Sequence, residues 1–322
     1  MNLPDIYFEP EWGQLYAEKD KGEYSNFVFE DENGLIYYSF VKRKIDIEVD
    51  GESYFDIVSP YGFGGPVVLH YAEGCKHQLL ATFKIAFDAF CKRENIVTDS
   101  CRFSPWLMNH LDFEHMYEVV PNFSTVGIDL SVEDVFMDEI KSKKRNMIRK
   151  AQKLGVEIHF DFEGKEIDSF IRVYEKTIEK NSISDYYRFS ASFFKKNFEE
   201  LKDKICIAYA TYEKKIISIA FFLLGSEYVH YHLAANDTDY FGIPANDLML
   251  YKVALYGKEI GKKYFMLGGA GSNKALHSHK MGFTREGEYP FFKGRRVCDK
   301  EIYDKLLQNC TKVDMNFFPS YR

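Results

Sequence analysis

The chain lacks any apolar run long enough to span a bilayer. Its most hydrophobic stretch, IISIAFFLLG at 216–225, falls far short of the roughly 18 residues a membrane span needs, and it reads as a buried strand. The first residues, MNLPDIYFEPEW, have neither the basic nor the apolar region of a signal peptide, so a cytoplasmic protein is expected. Cysteine is sparse: Cys75, Cys91, Cys101, Cys206, Cys298 and Cys310 contain no CxxC pair. That argues against a zinc cluster or a thioredoxin-type motif. No carboxylate or cysteine completes a ligand spacing with His232, His277 and His279, so no metal is expected. Free thiols are the expected state in a reducing compartment. Positive charge is also short, with 42 Lys and Arg against 49 Asp and Glu, a net charge of −7. A generally basic nucleic-acid coat is thereby disfavoured. Low-complexity segments and Pro/Ser-rich linkers are missing as well.

Aromatics, by contrast, are abundant, with 29 Phe and 23 Tyr. Tyrosine serves cores and polar pockets alike, because its ring packs while its hydroxyl bonds. At roughly 150 residues per domain, 322 residues predict two domains.

The order of elements repeats. In the second half, 165–181 and 190–202 have helical spacing, the second with Ser190 at its N-cap. Three strand-like runs follow at 205–212, 216–225 and 228–235, with separators short enough for hairpins. A helix is predicted over 244–261, with Pro244 near its first turn and Gly261 at its end. A buried strand over 263–269, a short helix and a closing hairpin within 283–297 complete the series. The first half gives a hairpin about Asn33-Gly34, a strand at 54–59, a helix at 77–94 and a strand at 96–103. A short helix at 104–111 and terminal strands in 116–130 follow. These are two copies of one α+β unit, 1–131 and 132–322, joined by a helical segment at 132–154.

The strand 228–235, helix 244–261 and strand 263–269 form a crossover unit. If the strands splay apart, their ends and the helix N-terminus make a polar cleft whose backbone N–H groups face an anion. LGGAGSNK at 267–274 lacks the spacing of a phosphate-binding P-loop, and its glycines read as a turn with close backbone approach. His230 and His232 share one face of their strand. Sheet packing is one role for them; the other is that His232, near the strand end, accepts the proton of an attacking amine. Segment 141–153 carries seven Lys/Arg and no acid, which leaves the rest of the chain at −14. With Phe136, Ile140, Met147, Ala151 and Leu154 forming an apolar stripe, Lys141, Arg145 and Arg149 face away from it. They form either a solvated basic face or a clamp for phosphate, pyrophosphate or tRNA backbone, a task that suits arginine.

Several strings then carry a family resemblance. Pro244, Asn246 and Leu248 open the helix, Leu267-Gly268-Gly269 ends the strand, and Lys280-Met281-Gly282-Phe283 forms the turn after the short helix. Upstream stand KSKKRNMIRKAQKLGVEI (141–158), FIRVYEKTIEKNSISDYYRFSASFF (170–194) and SPYGFGGPVV (59–68). Together they resemble the GNAT-fold FemAB/FemX-like acyltransferase superfamily over roughly 25–310. The resemblance implies two tandem GNAT-like domains, each a mixed, mostly antiparallel sheet flanked by helices. It also implies an N-acyltransferase acting on an amine or hydroxyl of a small sugar-derived, amino-acid-derived or cell-envelope precursor held in an interdomain cleft. The implied donor is acyl-CoA, acetyl-CoA included, or aminoacyl-tRNA, the latter meeting 141–153. The third reading is a non-catalytic module that binds a sugar nucleotide or peptide. Donor-lining positions are Ala235, Gly242, Asn246, Leu248, Gly268 and Gly269. Acceptor contacts are Tyr61, Arg145, Arg149, Tyr187 and Tyr231. Lys280 is either a surface lysine or, by its position and the resemblance, a cation that holds an acceptor carboxylate or the oxyanion, with His232 as its catalytic companion. The pattern departs from an ordinary acyl-CoA loop at YFGIPAN (240–246), which has one glycine and a proline that removes a donor.

Overall fold

The computed structural model describes residues 1–181 and 188–322. The chain forms two compact units, one of residues 1–123 with 290–322 and the other of 124–289. The first opens with α1 (Pro10–Ala17) and an antiparallel hairpin, β1 (Glu23–Asp31) and β2 (Gly34–Lys44). Glycine is required at the start of β2, where a Cβ on Gly34 would meet the His70 carbonyl at 2.3 Å. β3 (Phe55–Val58) and β4 (Val67–Tyr71) both pair with β2, as one strand interrupted by the loop 59–66. The crossover helix α2 (Lys76–Arg93) leads to β5 (Ile96–Arg102), parallel to β3. A short α3 (His110–Phe113) and β6 (Glu118–Pro121) follow. Tyr38, Phe40, Phe83, Phe87 and Phe113 pack in one core here.

The chain then enters the second unit with β7 (Thr125–Asp129). A single π-helical turn (Val135–Glu139), α4 (Ser142–Lys153), β8 (Glu157–Asp161) and α5 (Ile167–Asn181) come next. In α6 (Ala191–Leu201) the Ser190 hydroxyl accepts from the Phe193 amide at 3.2 Å, the expected N-cap. The meander β9 (Ile205–Tyr212), β10 (Lys215–Leu224) and β11 (Tyr228–Asn236) is antiparallel throughout. α7 (Ala245–Glu259) crosses to β12 (Tyr264–Gly269), which is parallel to β11. α8 (Lys274–Met281) and β13 (Glu288–Tyr289) end the unit, and β14 (Phe292–Val297) and α9 (Lys300–Asn309) lie in the first.

The sheet orders are β1-β2-β3-β5-β14-β6, with β4 also on β2, and β13-β7-β12-β11-β10-β9-β8. Apart from β8 they match strand for strand, so the α+β duplication read from the sequence is the fold. Two corrections follow. Residues 283–297 do not form a closing hairpin: β13 pairs with β7 in one sheet, and β14 pairs with β5 and β6 in the other. Pro290 between them keeps Tyr289 extended, so the chain runs on into the other sheet instead of turning back. Each unit therefore takes its return strand from the other half, and a division at 131 becomes breaks at 123 and 289. The segment 132–154 is likewise not one helix. Ile140 and Lys141 are extended, and the Lys141 amide donates to the Gly282 carbonyl at 3.0 Å. The break resets the helical phase, so α4 buries Ile148 and Ala151 while Leu154 is 40% exposed.

Candidate active site

β11 and β12 pair only at Tyr228↔Tyr264, Val229↔Phe265 and His230↔Met266. Beyond that point β11 stays with β10 and β12 with β7, so the parallel pair splays as expected. The pairing of β12 with β7 shifts register between Met266 and Gly268, a bulge of the kind that re-aims a strand end. The N-terminus of α7 follows β11 on the chain. Pro244 sits at its cap position, with no side-chain cap bond, and one N–H donor is missing there.

Lys280 comes from α8 and is 7% exposed. Its ammonium donates to the Gly269 carbonyl at 2.6 Å, at the end of β12. Gly268 has φ +72°, and a Cβ there would lie 3.9 Å from Lys280 Nζ. The strand end is thus bare of side chain where the lysine head arrives. Burial lowers the Lys280 pKa to about 8, since desolvation disfavours the charged form.

His232, the other expected catalytic group, is half-buried on β11 beyond the splay. Burial first, and then His230, push its pKa down to about 3. A pKa that low keeps the ring neutral at physiological pH and weighs against His232 as a base near neutrality. Tyr231 faces the other way, stacked on Phe222 with ring centroids 5.5 Å apart. Its hydroxyl donates to the Asn246 side-chain oxygen at 3.2 Å, joining β11 to the first turn of α7. Burial holds its phenol above the ordinary range. Ala235 and Leu248 are core residues, 0% and 2% exposed, so neither side chain can line a donor site. Gly242 is exposed, and its carbonyl accepts from Lys150 Nζ at 3.1 Å.

A cluster not anticipated from the sequence lies beside this helix start. Lys144 of α4 forms an ion pair with Asp247 in the first turn of α7, and both side chains are close to nine-tenths buried. The same ammonium donates to His279 Nδ1 at 2.7 Å and stands 5.0 Å from the Phe283 ring centre. An ammonium only donates, so Nδ1 accepts and the neutral His279 carries its proton on Nε2. Among the described residues Nε2 has no hydrogen-bond partner. Burial, and then Lys144, lower the His279 pKa. One signal was legible: Lys144, Ile148 and Ala151 stand at helical spacing, which places a charge on the buried face.

Arg145 is committed to structure. Its Nη1 donates to the Ile140 carbonyl at 2.8 Å and the Met137 carbonyl at 3.3 Å, closing the end of the π-helical turn. Arg149 is exposed, its guanidinium 5.0 Å from the Phe136 ring centre. Lys143, Arg149, Lys150 and Lys153 give the exposed face of α4 four basic residues and no acid. Tyr61 belongs to the first unit, where it stacks on Tyr16 at 5.0 Å and its carbonyl accepts from Trp12 Nε1 at 2.7 Å. Tyr187 lies outside the described residues. No group of three or more His, Cys, Asp or Glu suited to a metal occurs among the described residues, and no helix among them is long and apolar enough to cross a membrane.

Two units of matching strand order in tandem, the second with its parallel pair splayed, define a GNAT-like fold. The chain belongs to the FemAB-like family, described by peptidoglycan biosynthesis/recognition, whose model matches residues 60–240. Its fold is similar to that of FemX, with a TM-score of 0.72 over 94% of this chain and 95% of that one at 11% identity. The C-terminal domain of a putative lysylphosphatidylglycerol synthetase from Agrobacterium fabrum is also similar (TM-score 0.55, 13% identity, 93% and 95% covered). So is L-PGS from Bacillus licheniformis (TM-score 0.53, 16% identity, 94% and 96% covered). No curated protein matches the chain in sequence.

Proposed function

We propose that the protein is an acyltransferase that moves an aminoacyl group from aminoacyl-tRNA to an amine or hydroxyl of a cell-envelope precursor. The observation that carries this reading is Lys280 at the end of the splayed β12, buried, with its head on the Gly269 carbonyl. When the acceptor attacks the ester carbonyl, the carbonyl oxygen gains a full negative charge. The Lys280 ammonium donates to it there, a role in which a fixed donor lowers the barrier by about 3 kcal/mol. The N-terminal dipole of α7 adds a favourable field for the same anion.

The donor assignment rests on two features. The α7 entry has one glycine and a proline where a pyrophosphate cradle needs several amides, which disfavours acyl-CoA. The basic face of α4 packs beside that entry, with Lys150 on the Gly242 carbonyl, and suits a phosphate backbone. The family description supports an envelope acceptor, and a similar fold bears the name lysylphosphatidylglycerol synthetase. Thermal shifts with CoA, acetyl-CoA and bulk tRNA test the donor. A shift with tRNA that salt abolishes supports the reading. A shift with acetyl-CoA alone makes the protein an acyl-CoA enzyme. No turnover with any donor, but binding of a sugar nucleotide, makes it a recognition module.

A further inference from the structure

The first unit holds a thiol pair that the transfer chemistry does not use. Cys91 lies in the last turn of α2, and Cys298 follows β14 directly, its amide bonded to the Val97 carbonyl of β5 at 2.8 Å. Cys91 is 2% exposed and belongs to the core cluster against which the half-buried Cys298 packs. Both residues line a polar cavity of about 440 Å³ together with Lys84, Asp88, Arg295 and Arg296, and both line a second cavity of about 390 Å³. The Arg296 side chain is 9% exposed, pairs with Asp88 and interacts with both cysteines. Among the described residues its Nη1 has no hydrogen-bond partner. Cys298 first, and then burial, hold the Cys91 thiol well above its ordinary range, and the Arg296 guanidinium opposes them.

We infer that Cys91 and Cys298 form a reversible disulfide that fastens the exchanged strand β14 to helix α2. The half-buried Cys298 is the sulfur an oxidant entering the cavity meets first. With hydrogen peroxide, the Cys298 thiol becomes a sulfenic acid and one water leaves. The Cys91 sulfur then attacks the sulfenic sulfur, the S–S bond forms, and the hydroxyl and the Cys91 proton leave as a second water. Two thiols are oxidised by two electrons, and the peroxide is reduced. A dithiol reductant reverses the step. The consequence is mechanical. β14 lies between β5 and β6 but reaches them from the far end of the chain, so a covalent tie to α2 restricts its departure.

The test treats the full chain with stoichiometric hydrogen peroxide, blocks remaining thiols after denaturation and maps peptides without reduction. The expected result is one cross-linked peptide pair containing Cys91 and Cys298, the other four cysteines blocked as thiols. Tm should shift upward and dithiothreitol should reverse the shift. Cys298→Ser and Cys91→Ser should each abolish both the cross-link and the shift. The inference is overturned if all six cysteines are still blocked as thiols, or if Cys298 ends as a sulfinic acid with Cys91 free. A cross-link between any other pair overturns it too. Peptide mapping reads the bond directly, so a serine variant that fails to fold does not rescue it.

Discussion

Lys280 carries a charge in a place that makes the charge titrate. Its pKa of about 8 means that the ammonium predominates below that value and is lost as pH rises through it. Turnover should therefore fall across pH 8, and Lys280→Arg, which stays charged, should remove that limb from the pH profile. Lys280→Ala should lower kcat about 10²–10³-fold with KM little changed, as expected for a donor acting mainly on the transition state. Asp247→Asn should cost about 3 kcal/mol in urea unfolding, because it leaves the Lys144 ammonium nearly buried and unpaired. Replacing both partners by apolar residues should cost less, and a double-mutant cycle separates the two terms. Asp99 makes the pH test of the first unit. Its buried carboxylate accepts from the Tyr38 and Tyr117 hydroxyls at 2.6 and 2.5 Å, yet burial raises its pKa to about 6. A carboxyl raised on folding contributes stability that is fully present below the unfolded value near 4 and lost as pH climbs through 6. Between pH 4 and 7 the stability of the wild type relative to Asp99→Asn should fall by up to ~3 kcal/mol.

At the scale of the element, α4 decides how the seven basic residues are used. Had 132–154 been one helix, Arg145 and Arg149 would have shared one exposed face. The break at Ile140 and Lys141 turns α4 so that Lys144 points inward and Arg145 closes the preceding turn. The two arginines should then separate by experiment. Arg149→Ala should weaken tRNA binding and reduce the slope of log K against log salt by about 1, with stability unchanged. Arg145→Ala should instead lower stability by about 1 kcal/mol, since the part-buried Ile140 carbonyl loses its donor while the Met137 carbonyl keeps the Arg285 guanidinium. The crossover unit was more transparent. Continuous apolar strands and a proline-started helix have few alternatives, and the splay followed because β12 finds a second partner in β7. Which partner that would be was not readable from the local pattern.

At the scale of the whole molecule, the exchange of β7 and β14 makes each unit depend on the other half of the chain. Deleting 290–322 removes β14 from between β5 and β6 and exposes two unpaired edges. The prediction is that residues 1–289 lose the protected amides of β5 and β6 in hydrogen exchange. If that fragment keeps them protected, β14 is dispensable to the first unit.

The sequence by itself determined the duplication and the crossover unit of β11, α7 and β12, because hydrophobic period, capping residues and turn glycines act within a few residues. It could not decide the neutrality of His232, the pairing of Lys144 with Asp247 and His279, or the core burial of Leu248 and Ala235. Those depend on desolvation and on partners far along the chain. The exchange of return strands is of the same kind. Pro290 marks where the chain runs straight on, but only the assembled sheets fix which edge receives the strand.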